Sequence, residues 1–400
     1  MEKTWRWFGP GDPIQLNWLK QIGVEGIVTA LHAVPNGEIW TQGMIEDMKK
    51  NIERHGLRWS VVESLPVTED IKTGGPGRDR LIDNYRTSLI NLGKTGVHTV
   101  CYNFMPVIDW IRTDLYKKNS DGSRSLFFNY ARFAYFDCCI LEREGARNDY
   151  SSNIMEQVEQ IRSTITQKEK EELIFNIIVK TQGFVNGNIT EKDKHPVALF
   201  KNLLARYRDI DKDRLRENFR YFMHAVAPVA HEYGVNLCIH PDDPPFPVLG
   251  LPRIVTDRED IDWLLKAVDI HENGLTFCAG SLSSGLQNDV PDLARHFAKR
   301  THFVHLRSTQ ADPDRNFTEA GHLAGRAGLL EVIRIFELEQ ERRKKAGMKD
   351  FLIPMRPDHG ALILSDIEHN VYNPGYSFYG RMKALAELSG AMAAIRHFCI

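Results

Sequence analysis

Eight short and almost continuously apolar runs are the feature that most constrains how this chain can fold. Runs without polar alternation are typical of parallel strands that helices cover on both faces. Eight such strands, separated by helical patterns, indicate a closed (β/α)8 barrel. The runs are TWRWFG (4–9), EGIVTAL (25–31), RWSVVES (58–64), HTVCYNF (98–104), NLCIHP (236–241), LTFCAG (275–280), HFVHLRS (302–308) and FLIPMRP (351–357).

Helical patterns stand between most of these runs, at 44–56, 78–96, 215–234 and 259–270, and a last helix is expected at 381–398. Three of them close with a glycine after the last apolar turn, which is a usual helix stop. The alternative fold is an open, doubly wound sheet, which usually carries a G-x-G-x-x-G turn after its first strand. The first run continues instead into GPGDP, so the barrel is favoured.

One long gap interrupts this alternation. Roughly 130 residues separate the fourth run from the fifth, whereas one helix and two loops need far fewer. We therefore expect one domain over 1–400 with an insertion at about 105–192, after the fourth strand and on the active-site face of the barrel. A helix is expected near 151–170. The sequence leaves open whether this insertion serves the site or only structure and dimerisation.

The composition argues against several classes of protein. With 51 basic and 53 acidic residues, the formal charge of −2 does not suit a general nucleic-acid binder or a basic membrane-surface protein. No apolar stretch has the length of a signal-peptide core or a membrane span. The six cysteines are scattered, and three lie inside apolar runs, which is typical of reduced thiols. We therefore expect a cytoplasmic protein.

The last four runs each lead into a residue that can bind a metal: His240, Cys278, His305 and Asp358. A single such residue is usually a buried thiol, a hydrogen-bonded imidazole or a turn aspartate. Four at successive strand ends predict a shared site, because strand C-termini converge on a barrel axis. Calcium and magnesium prefer oxygen ligands, and on softness this mixture favours zinc or ferrous iron. The chain is therefore predicted to be a metal-dependent enzyme.

Several long motifs resemble those of the mannonate dehydratases, and the resemblance extends over essentially the whole chain. They include IHPDDPP (239–245), LGLPRIV (249–255), FVHLRST (303–309), IPMRPDHG (353–360), NPGYSFYGR (373–381), TWRWFGPGDP (4–13) and CYNFMPVIDWIRTDL (101–115). The resemblance implies a hydro-lyase that converts D-mannonate to 2-keto-3-deoxy-D-gluconate in hexuronate (glucuronate) catabolism. It also implies a barrel like that of xylose isomerase and a homodimer that acts on a small sugar acid.

The same resemblance implies that manganese or ferrous iron is bound by His240, Cys278, His305 and Asp358. Zinc is also possible, because a thiolate is a soft ligand. The metal would stabilise the charge that develops when the C2 proton leaves. A base must take that proton and an acid must protonate the departing C3 hydroxyl. The resemblance places a catalytic histidine at His359, where Gly360 is expected to permit a turn of the backbone.

A substrate-contacting tyrosine is implied at Tyr372, Tyr376 or Tyr379, and Tyr376 is favoured because it lies inside NPGYS. Which of His359 and Tyr376 is the acid and which the base stays open. Ala361 and Leu362 depart from the polar pair that follows this motif in many family members.

Arginines are expected to bind the substrate carboxylate, which Arg can hold bidentately. Arg307 and Arg356 lie two residues from metal ligands and hence on the same strand faces. Salt bridges between barrel strands are the alternative role for both. Arg6, Trp7 and Asn103 stand at strand positions that would line the mouth of the site, as does Glu63.

Three other functions are less consistent with the sequence. A sugar isomerase or epimerase on the same barrel typically holds its metal with several acidic residues, whereas only Asp358 is acidic here. A phosphodiesterase acting on damaged DNA would need a basic surface. A binding protein with a structural zinc would leave His359, Arg307 and Arg356 unexplained.

Overall fold

The predicted (β/α)8 barrel is confirmed by the computed structural model, which describes residues 1–185 and 189–400. Eight parallel strands close in the order β1-β12-β9-β8-β7-β4-β3-β2. These strands are β1 (Glu2–Arg6), β2 (Gly26–Thr29), β3 (Arg58–Glu63), β4 (Thr99–Tyr102), β7 (Asn236–Ile239), β8 (Asn273–Cys278), β9 (Thr301–Leu306) and β12 (Pro354–Pro357). A separate antiparallel sheet contains β5 (Asp114–Lys118), β6 (Arg124–Phe128), β10 (Thr309–Ala311) and β11 (Phe317–Glu319).

Helices surround the barrel and fill the long connection after β4. They are α1 (Leu16–Gln21), α2 (Gln42–Glu53), α3 (Glu69–Thr73), α4 (Arg78–Lys94), α5 (Tyr130–Tyr135), α6 (Ser152–Thr164), α7 (Gln167–Ile174), α8 (Thr181–Val185), α9 (Pro196–Ala205), α10 (Lys212–Tyr233), α11 (Arg258–Ala267), α12 (Ala279–Ser283), α13 (Val290–Phe297), α14 (Leu329–Lys345) and α15 (Phe378–Cys399). Two π-helical turns, Phe136–Ile140 and Phe175–Lys180, and three 3-10 turns, Ala146–Asp149, Ala298–Arg300 and Leu364–Asp366, complete the set in the described residues. None of these helices is both long and apolar enough to span a membrane.

Helix α10 shows how local sequence sets these boundaries. The Asp211 side chain accepts a hydrogen bond from the Arg214 backbone amide at 2.8 Å and so caps the first turn. Gly234 ends the helix with a φ of 63°, a left-handed conformation that glycine adopts without a Cβ clash. The chain can then turn directly into β7, whose C-terminal end leads to the site.

The molecule has two large hydrophobic cores. The larger lies between the barrel strands and their helices, while Cys101 and Cys238 pack with Phe303 in a small cluster of buried strand residues. The segment between β4 and α10 has its own core, which includes Phe133, Ile177 and Phe200. This second core extends past residue 192, and residues 186–188 of the expected insertion lie outside the described part of the chain.

The antiparallel sheet connects this segment to the barrel. Strand β6 pairs with β11, which belongs to the connection that follows barrel strand β9. Residues just before β5 and at the end of β11 consequently approach the C-terminal ends of the barrel strands. Arg112 and Glu319 make this contact directly, at 3.0 Å between Nη2 and Oε1.

Candidate active site

A buried cavity of about 70 Å³ lies among the C-terminal ends of the barrel strands. Every barrel strand except β2 and β8 has a lining residue within it or a few positions after it. The lining residues are Arg6, Phe8, Glu63, Ser64, Cys101, Asn103, Asp109, Trp110, His240, Asp243, Arg307, Arg356, Asp358, His359 and Tyr376. Cys278, at the end of β8, lies beside this group.

Three of the four predicted metal ligands converge closely. One ligand atom each from His240, Cys278 and His305 lies within 4.8 Å of the other two. Asp358 adjoins them, with Oδ2 3.8 Å from Cys278 Sγ and 4.0 Å from His305 Nδ1. These separations place two imidazoles, a thiol and a carboxylate around one small volume, a donor set that suits a first-row divalent ion.

The second nitrogen of each imidazole shows whether the residues fit a metal. His240 Nδ1 lies 2.7 Å from the Pro241 carbonyl oxygen, which can only accept, so Nδ1 carries the proton and Nε2 is the available ligand atom. A metal-bound histidine usually donates its other nitrogen in this way. His305 Nδ1 is buried without a hydrogen-bond partner among the described residues, while Nε2 accepts from Arg356 Nε at 3.1 Å, so a metal on Nδ1 would displace the Nδ1 proton. The residues therefore fit a bound cation.

Two of the four ligands have the protonation state that metal binding needs, whereas Cys278, Asp109 and Glu63 outweigh burial and raise the pKa of His240 to about 9, so a metal would displace a proton there. Burial and the Arg356 guanidinium hold the pKa of His305 well below its usual value, so this imidazole is neutral. Burial alone would raise the pKa of Asp358, but Arg356, His359 and Arg307 outweigh it and hold that pKa well below the usual range. Neutral imidazole and ionised carboxylate are the forms that bind metals.

Arg356 is occupied by carboxylates on both sides. Its guanidinium lies 2.8 Å from Glu63 Oε1 and 2.5 Å from Asp358 Oδ1, and its Nε donates to His305 Nε2 at 3.1 Å. It therefore orients two of the predicted ligands. The salt-bridge alternative considered for Arg356 describes the observed contacts.

Arg307 belongs to a ring of alternating charges that includes Arg112, Asp243 and Glu319. Asp243 lies 2.8 Å from Arg112 and 2.7 Å from Arg307. Glu319 lies 3.0 Å from Arg112 and 3.5 Å from Arg307. Burial opposes ionisation of Glu319, but Arg307, His359 and Arg112 lower its pKa to about 2. Four ionised, mutually paired side chains thus fix the position of Arg307 beside the cavity.

His359 projects from the end of β12 into this cavity. Its Nδ1 lies 2.7 Å from Arg307 Nη1 and 3.1 Å from Glu319 Oε1. A guanidinium can only donate and a carboxylate can only accept, so Nδ1 has a partner in either tautomer. With Nδ1–H donated to Glu319, Nε2 is free to take a proton. The Trp110 ring covers His359 with ring centroids 5.1 Å apart.

Tyr376 is the tyrosine that lines the cavity among the three considered. Its ring meets His359 edge to face, with centroids 5.3 Å apart. Burial raises the pKa of Tyr376 above its usual value, and the carboxylates Asp358 and Glu63 raise it further. The hydroxyl therefore keeps its proton at neutral pH. Tyr372 lies outside the cavity lining. Burial and the adjacent Asp366 raise its pKa to about 12.

Of the four residues predicted in the first half of the chain, Arg6, Glu63 and Asn103 line the cavity and Trp7 does not. Arg6 lines the cavity, and its Nη1 is buried without a hydrogen-bond partner in the described structure. Asn103 also lines the cavity and donates to Asp109 Oδ2. Trp7 is not brought to the site, because its indole packs in the barrel core and donates to the Ile14 carbonyl oxygen at 3.1 Å.

Local sequence at the end of β12 explains the approach of His359. The backbone of Gly360 does not adopt a left-handed conformation, so the expected turn is not what requires glycine there. A Cβ on Gly360 would instead stand 2.6 Å from the backbone nitrogen of Arg381. Close packing against α15 is the constraint. Ala361 and Leu362 both lie outside the cavity lining, and Leu362 pairs with the Arg124 backbone.

Sequence reasoning missed Arg112, Asp243, Glu319, Asp109 and Trp110. Asp243 was recoverable, since it stands three residues after His240 within the IHPDDPP motif. The others lie in the long segment after β4 or in the connection after β9, where no strand periodicity indicates which residues face the barrel. Burial raises the pKa of Asp109, which marks it as a further buried carboxyl at the site.

A second cavity of about 310 Å³ adjoins the first. The two share Ser64, Asn103 and Asp109 in their linings. Lys72 and Arg206 line the outer cavity, and each is paired with a carboxylate, Lys72 with Glu69 at 2.9 Å and Arg206 with Asp70.

Comparison with known proteins gives a consistent result. A family model described as D-mannonate dehydratase (UxuA) matches residues 1–399. The chain is 45% identical over 391 residues to the mannonate dehydratase of Marinomonas sp. (strain MWYL1), with 98% of each chain covered. It is 44% identical over 401 residues to that of Chromohalobacter salexigens, with 100% of both covered. The crystal structure of mannonate dehydratase from Streptococcus suis serotype 2 matches with a TM-score of 0.76 and 33% identity, covering 99% of this chain and 95% of that one. The chain therefore belongs to the D-mannonate dehydratase family.

Proposed function

We propose that the chain dehydrates D-mannonate to 2-keto-3-deoxy-D-gluconate at a divalent metal ion held by His240, Cys278, His305 and Asp358. As a member of the D-mannonate dehydratase family, it is a hydro-lyase. The observation that carries the metal site is the convergence of one ligand atom each from His240, Cys278 and His305 to within 4.8 Å of one another.

A divalent ion at these residues would supply Lewis-acid stabilisation of the charge that builds up beside the substrate carboxylate. The thiolate of Cys278 favours iron or zinc on softness, while the resemblance to the family implies manganese or iron. Ferrous iron satisfies both arguments, and the metal-reconstitution experiment below ranks the three ions.

Arg6 is our candidate for binding the substrate carboxylate. Arg307 and Arg356 already hold buried carboxylates, whereas Arg6 Nη1 lacks a hydrogen-bond partner among the described residues. A buried guanidinium N–H without a hydrogen-bond partner is costly, and an anionic ligand would remove that cost. Arg307 and Arg356 then act by positioning His359 and the metal ligands rather than by holding the substrate anion.

His359 is proposed as the base that takes the C2 proton. Its Nδ1–H would be held by Glu319, whose ionised carboxylate stabilises the imidazolium that forms. Tyr376 is proposed as the acid, because its hydroxyl stays protonated at neutral pH and can give that proton to the C3 hydroxyl as it leaves as water. The enol that results becomes the 2-keto product by losing the proton of its C2 hydroxyl and taking a proton at C3.

The size of the cavity indicates how the substrate is placed. The inner cavity, of about 70 Å³, is much smaller than the outer one. We propose that C1 to C3 occupy this inner cavity and that the remaining hydroxyls extend past Asn103 toward the outer cavity of about 310 Å³. The segment at 105–192 would close the site from the opposite side, with Trp110 against His359.

Three further features belong to the proposal. The reaction serves hexuronate breakdown, and the protein works in the cytoplasm, where its six free cysteines would stay reduced. It is expected to act as a homodimer on a free small molecule. The resemblance supports the pathway and the dimer, and the thiols support the compartment.

The test is to remove metal with a chelator, add manganese, ferrous iron or zinc singly, and assay D-mannonate for a 2-keto-3-deoxy acid. Product that appears only after metal is restored supports the proposal, and the initial rates rank the ions. Folded, metal-loaded protein that forms no product from D-mannonate would contradict it. Isomerised or epimerised sugars in the same assay would favour the alternative reaction on this barrel.

A further inference from the structure

A second group of metal-binding side chains lies at the other end of the barrel. His302 is the second residue of β9, while Arg307, beside the active site, follows the last residue of the same strand. His271 stands just before β8, and Asp350 stands before β12. One ligand atom from each of His271, His302 and Asp350 lies within 4.8 Å of the other two. The mechanism proposed above uses none of them.

The geometry of the group is compact. Asp350 Oδ2 lies 2.7 Å from His271 Nε2 and 3.6 Å from His302 Nδ1. The two imidazole rings meet nearly edge to face, with centroids 4.7 Å apart. Two imidazoles and one carboxylate at such separations need only small shifts to reach the distances of about 2.0–2.2 Å at which these groups bind zinc.

The protonation of His302 singles out its Nδ1. His302 Nε2 lies 2.8 Å from the His271 carbonyl oxygen, which can only accept, so Nε2 carries the proton. Nδ1 therefore presents a lone pair toward the Asp350 carboxylate. It has no hydrogen-bond partner among the described residues.

A buried lone pair that faces an ionised carboxylate is unfavourable unless a cation lies between them. The backbone carbonyl on the other nitrogen is the partner that metal-bound histidines commonly have. Both features fix His302 in the orientation and tautomer that a ligand needs. Asp350 is 29% exposed and His271 36% exposed, so an ion can enter from solvent and water can complete its coordination.

Two neighbouring side chains, Arg343 and Asn236, could occupy the Asp350 carboxylate in place of a metal ion. Arg343 Nη1 lies 3.9 Å from Asp350 Oδ2, but this guanidinium is already held by Glu339 at 2.8 Å and by the Thr301 carbonyl oxygen at 2.7 Å. Asn236 donates to the same carboxylate oxygen at 3.2 Å. The same oxygen also accepts the His271 Nε2–H at 2.7 Å, a hydrogen bond that a bound ion would replace. Outer hydrogen bonds such as the one from Asn236 orient metal-binding carboxylates.

We propose that His271, His302 and Asp350 form a second divalent metal site, of the zinc class, that stabilises the N-terminal end of the barrel. An ion there would link the connection before β8, the start of strand β9 and the connection before β12. The N-terminal face of such barrels serves stability, while chemistry belongs to the C-terminal face. Loss of this ion should therefore lower the thermal stability and leave turnover intact.

Metal content is the direct test. Chelated protein is reloaded with zinc, freed of excess ion and assayed for metal per chain. Wild type should hold one equivalent more than Asp350→Asn, and Cys278→Ala should keep the second equivalent while losing the catalytic one. Equal metal content in wild type and Asp350→Asn would overturn the proposal. Because the two sites are scored in separate variants, failure of one does not imply failure of the other.

Cobalt substitution supplies a spectroscopic readout. Cobalt in Cys278→Ala should show the visible bands of a site with nitrogen and oxygen ligands and no thiolate charge-transfer band. Asp350→Asn should show only the thiolate-containing site. A Cys278→Ala protein that binds no cobalt would count against a second site.

Thermal stability closes the test and guards against misfolding. Added zinc should raise the melting temperature of wild type and Cys278→Ala, but not of His271→Gln, since an ion that binds only the folded state stabilises it. His231→Gln is the matched control, because His231 is exposed and pairs with Glu272 outside the cluster. Both His271→Gln and Asp350→Asn should keep wild-type turnover. A zinc response that His271→Gln retains in full would overturn the assignment.

Discussion

Gly280 lies directly against the guanidinium group of Arg307. A Cβ atom on Gly280 would stand 1.8 Å from Arg307 Nε and 2.7 Å from its Cδ. Arg307 cannot withdraw, because it is buried and held by Asp243 at 2.7 Å. The absence of a side chain at Gly280 in α12 is therefore what allows Arg307 to reach His359.

Gly280→Ala should displace Arg307 and, with it, His359. We expect turnover to fall by about 10²-fold, since a shift of about 1 Å in a positioned group can cost that much. Steady-state kinetics on D-mannonate measures it. Gly43→Ala in α2 is the control, because nothing lies within 4 Å of the added Cβ. Near-normal turnover in Gly280→Ala would mean that Arg307 does not position the catalytic group.

Cys278→Ala should lower catalytic-site metal content and activity together, because it removes the thiolate from the predicted ligand set. Metal analysis and the dehydration assay are run on the same preparation. Cys238→Ala is a matched control, since Cys238 is also buried in a barrel strand but packs in a small apolar cluster and does not itself line the cavity. Full occupancy of the catalytic site in Cys278→Ala would remove this residue from the ligand set.

The barrel could be predicted because its strands carry their own signal. Each apolar run of the sequence coincides with a strand to within a few residues, since parallel strands covered on both faces must be apolar throughout. One difference is β12, predicted from residue 351 but observed from Pro354, because Phe351 is 37% exposed and does not join the sheet. His240, Cys278 and His305 followed from the barrel alone, as strand ends converge.

The charged ring around Arg307 could not be predicted. Arg112 and Glu319 are far apart in the chain, and they meet because β6 pairs with β11. Antiparallel pairing between a long insertion and a barrel connection is set by tertiary packing, which leaves no periodic pattern in the sequence. Trp7 lies outside the cavity lining for a related reason. Adjacent residues at a strand end point to opposite sides, and of these two residues it is Arg6 that faces the cavity.

Replacing the two proposed proton-transfer groups should separate chemistry from metal binding. His359→Asn and Tyr376→Phe are each expected to cut turnover by at least about 10²-fold, the usual effect of losing an acid or base. Catalytic-site metal content should stay at the wild-type level in both. Tyr372→Phe is the control for the tyrosine, because its hydroxyl pairs with Asp366 outside the cavity. Turnover near wild type in either variant would remove that residue from the acid–base pair.

Arg6→Gln should raise KM for D-mannonate by about tenfold or more, since a hydrogen bond to a charged group contributes about 1.5–3 kcal/mol. Trp7→Phe is the companion variant from the neighbouring position. It should leave KM unchanged and cost only about 1 kcal/mol of stability through the lost hydrogen bond to Ile14. The reverse pattern of KM values would place Trp7, and not Arg6, at the substrate.

The ionised state of Glu319 should make stability depend on acid. Its pKa is lowered from 4.5 to about 2 in the folded protein by Arg307, His359 and Arg112, which outweigh burial. A lowered carboxyl pKa stabilises the fold above the unfolded value, and this stabilisation is lost as pH falls from 4.5 toward 2. The expected loss is about 3 kcal/mol in the unfolding free energy.

Glu319→Gln should remove this loss, so its unfolding free energy should fall less steeply with acid than that of wild type. Denaturant unfolding of chelated samples at successive pH values measures the difference, because chelation removes the acid-sensitive contribution of bound metal. Glu387→Gln is the control, since the exposed pair that Glu387 makes with Lys383 contributes little to stability. Parallel curves for wild type and Glu319→Gln would show that Glu319 is not held ionised by the ring.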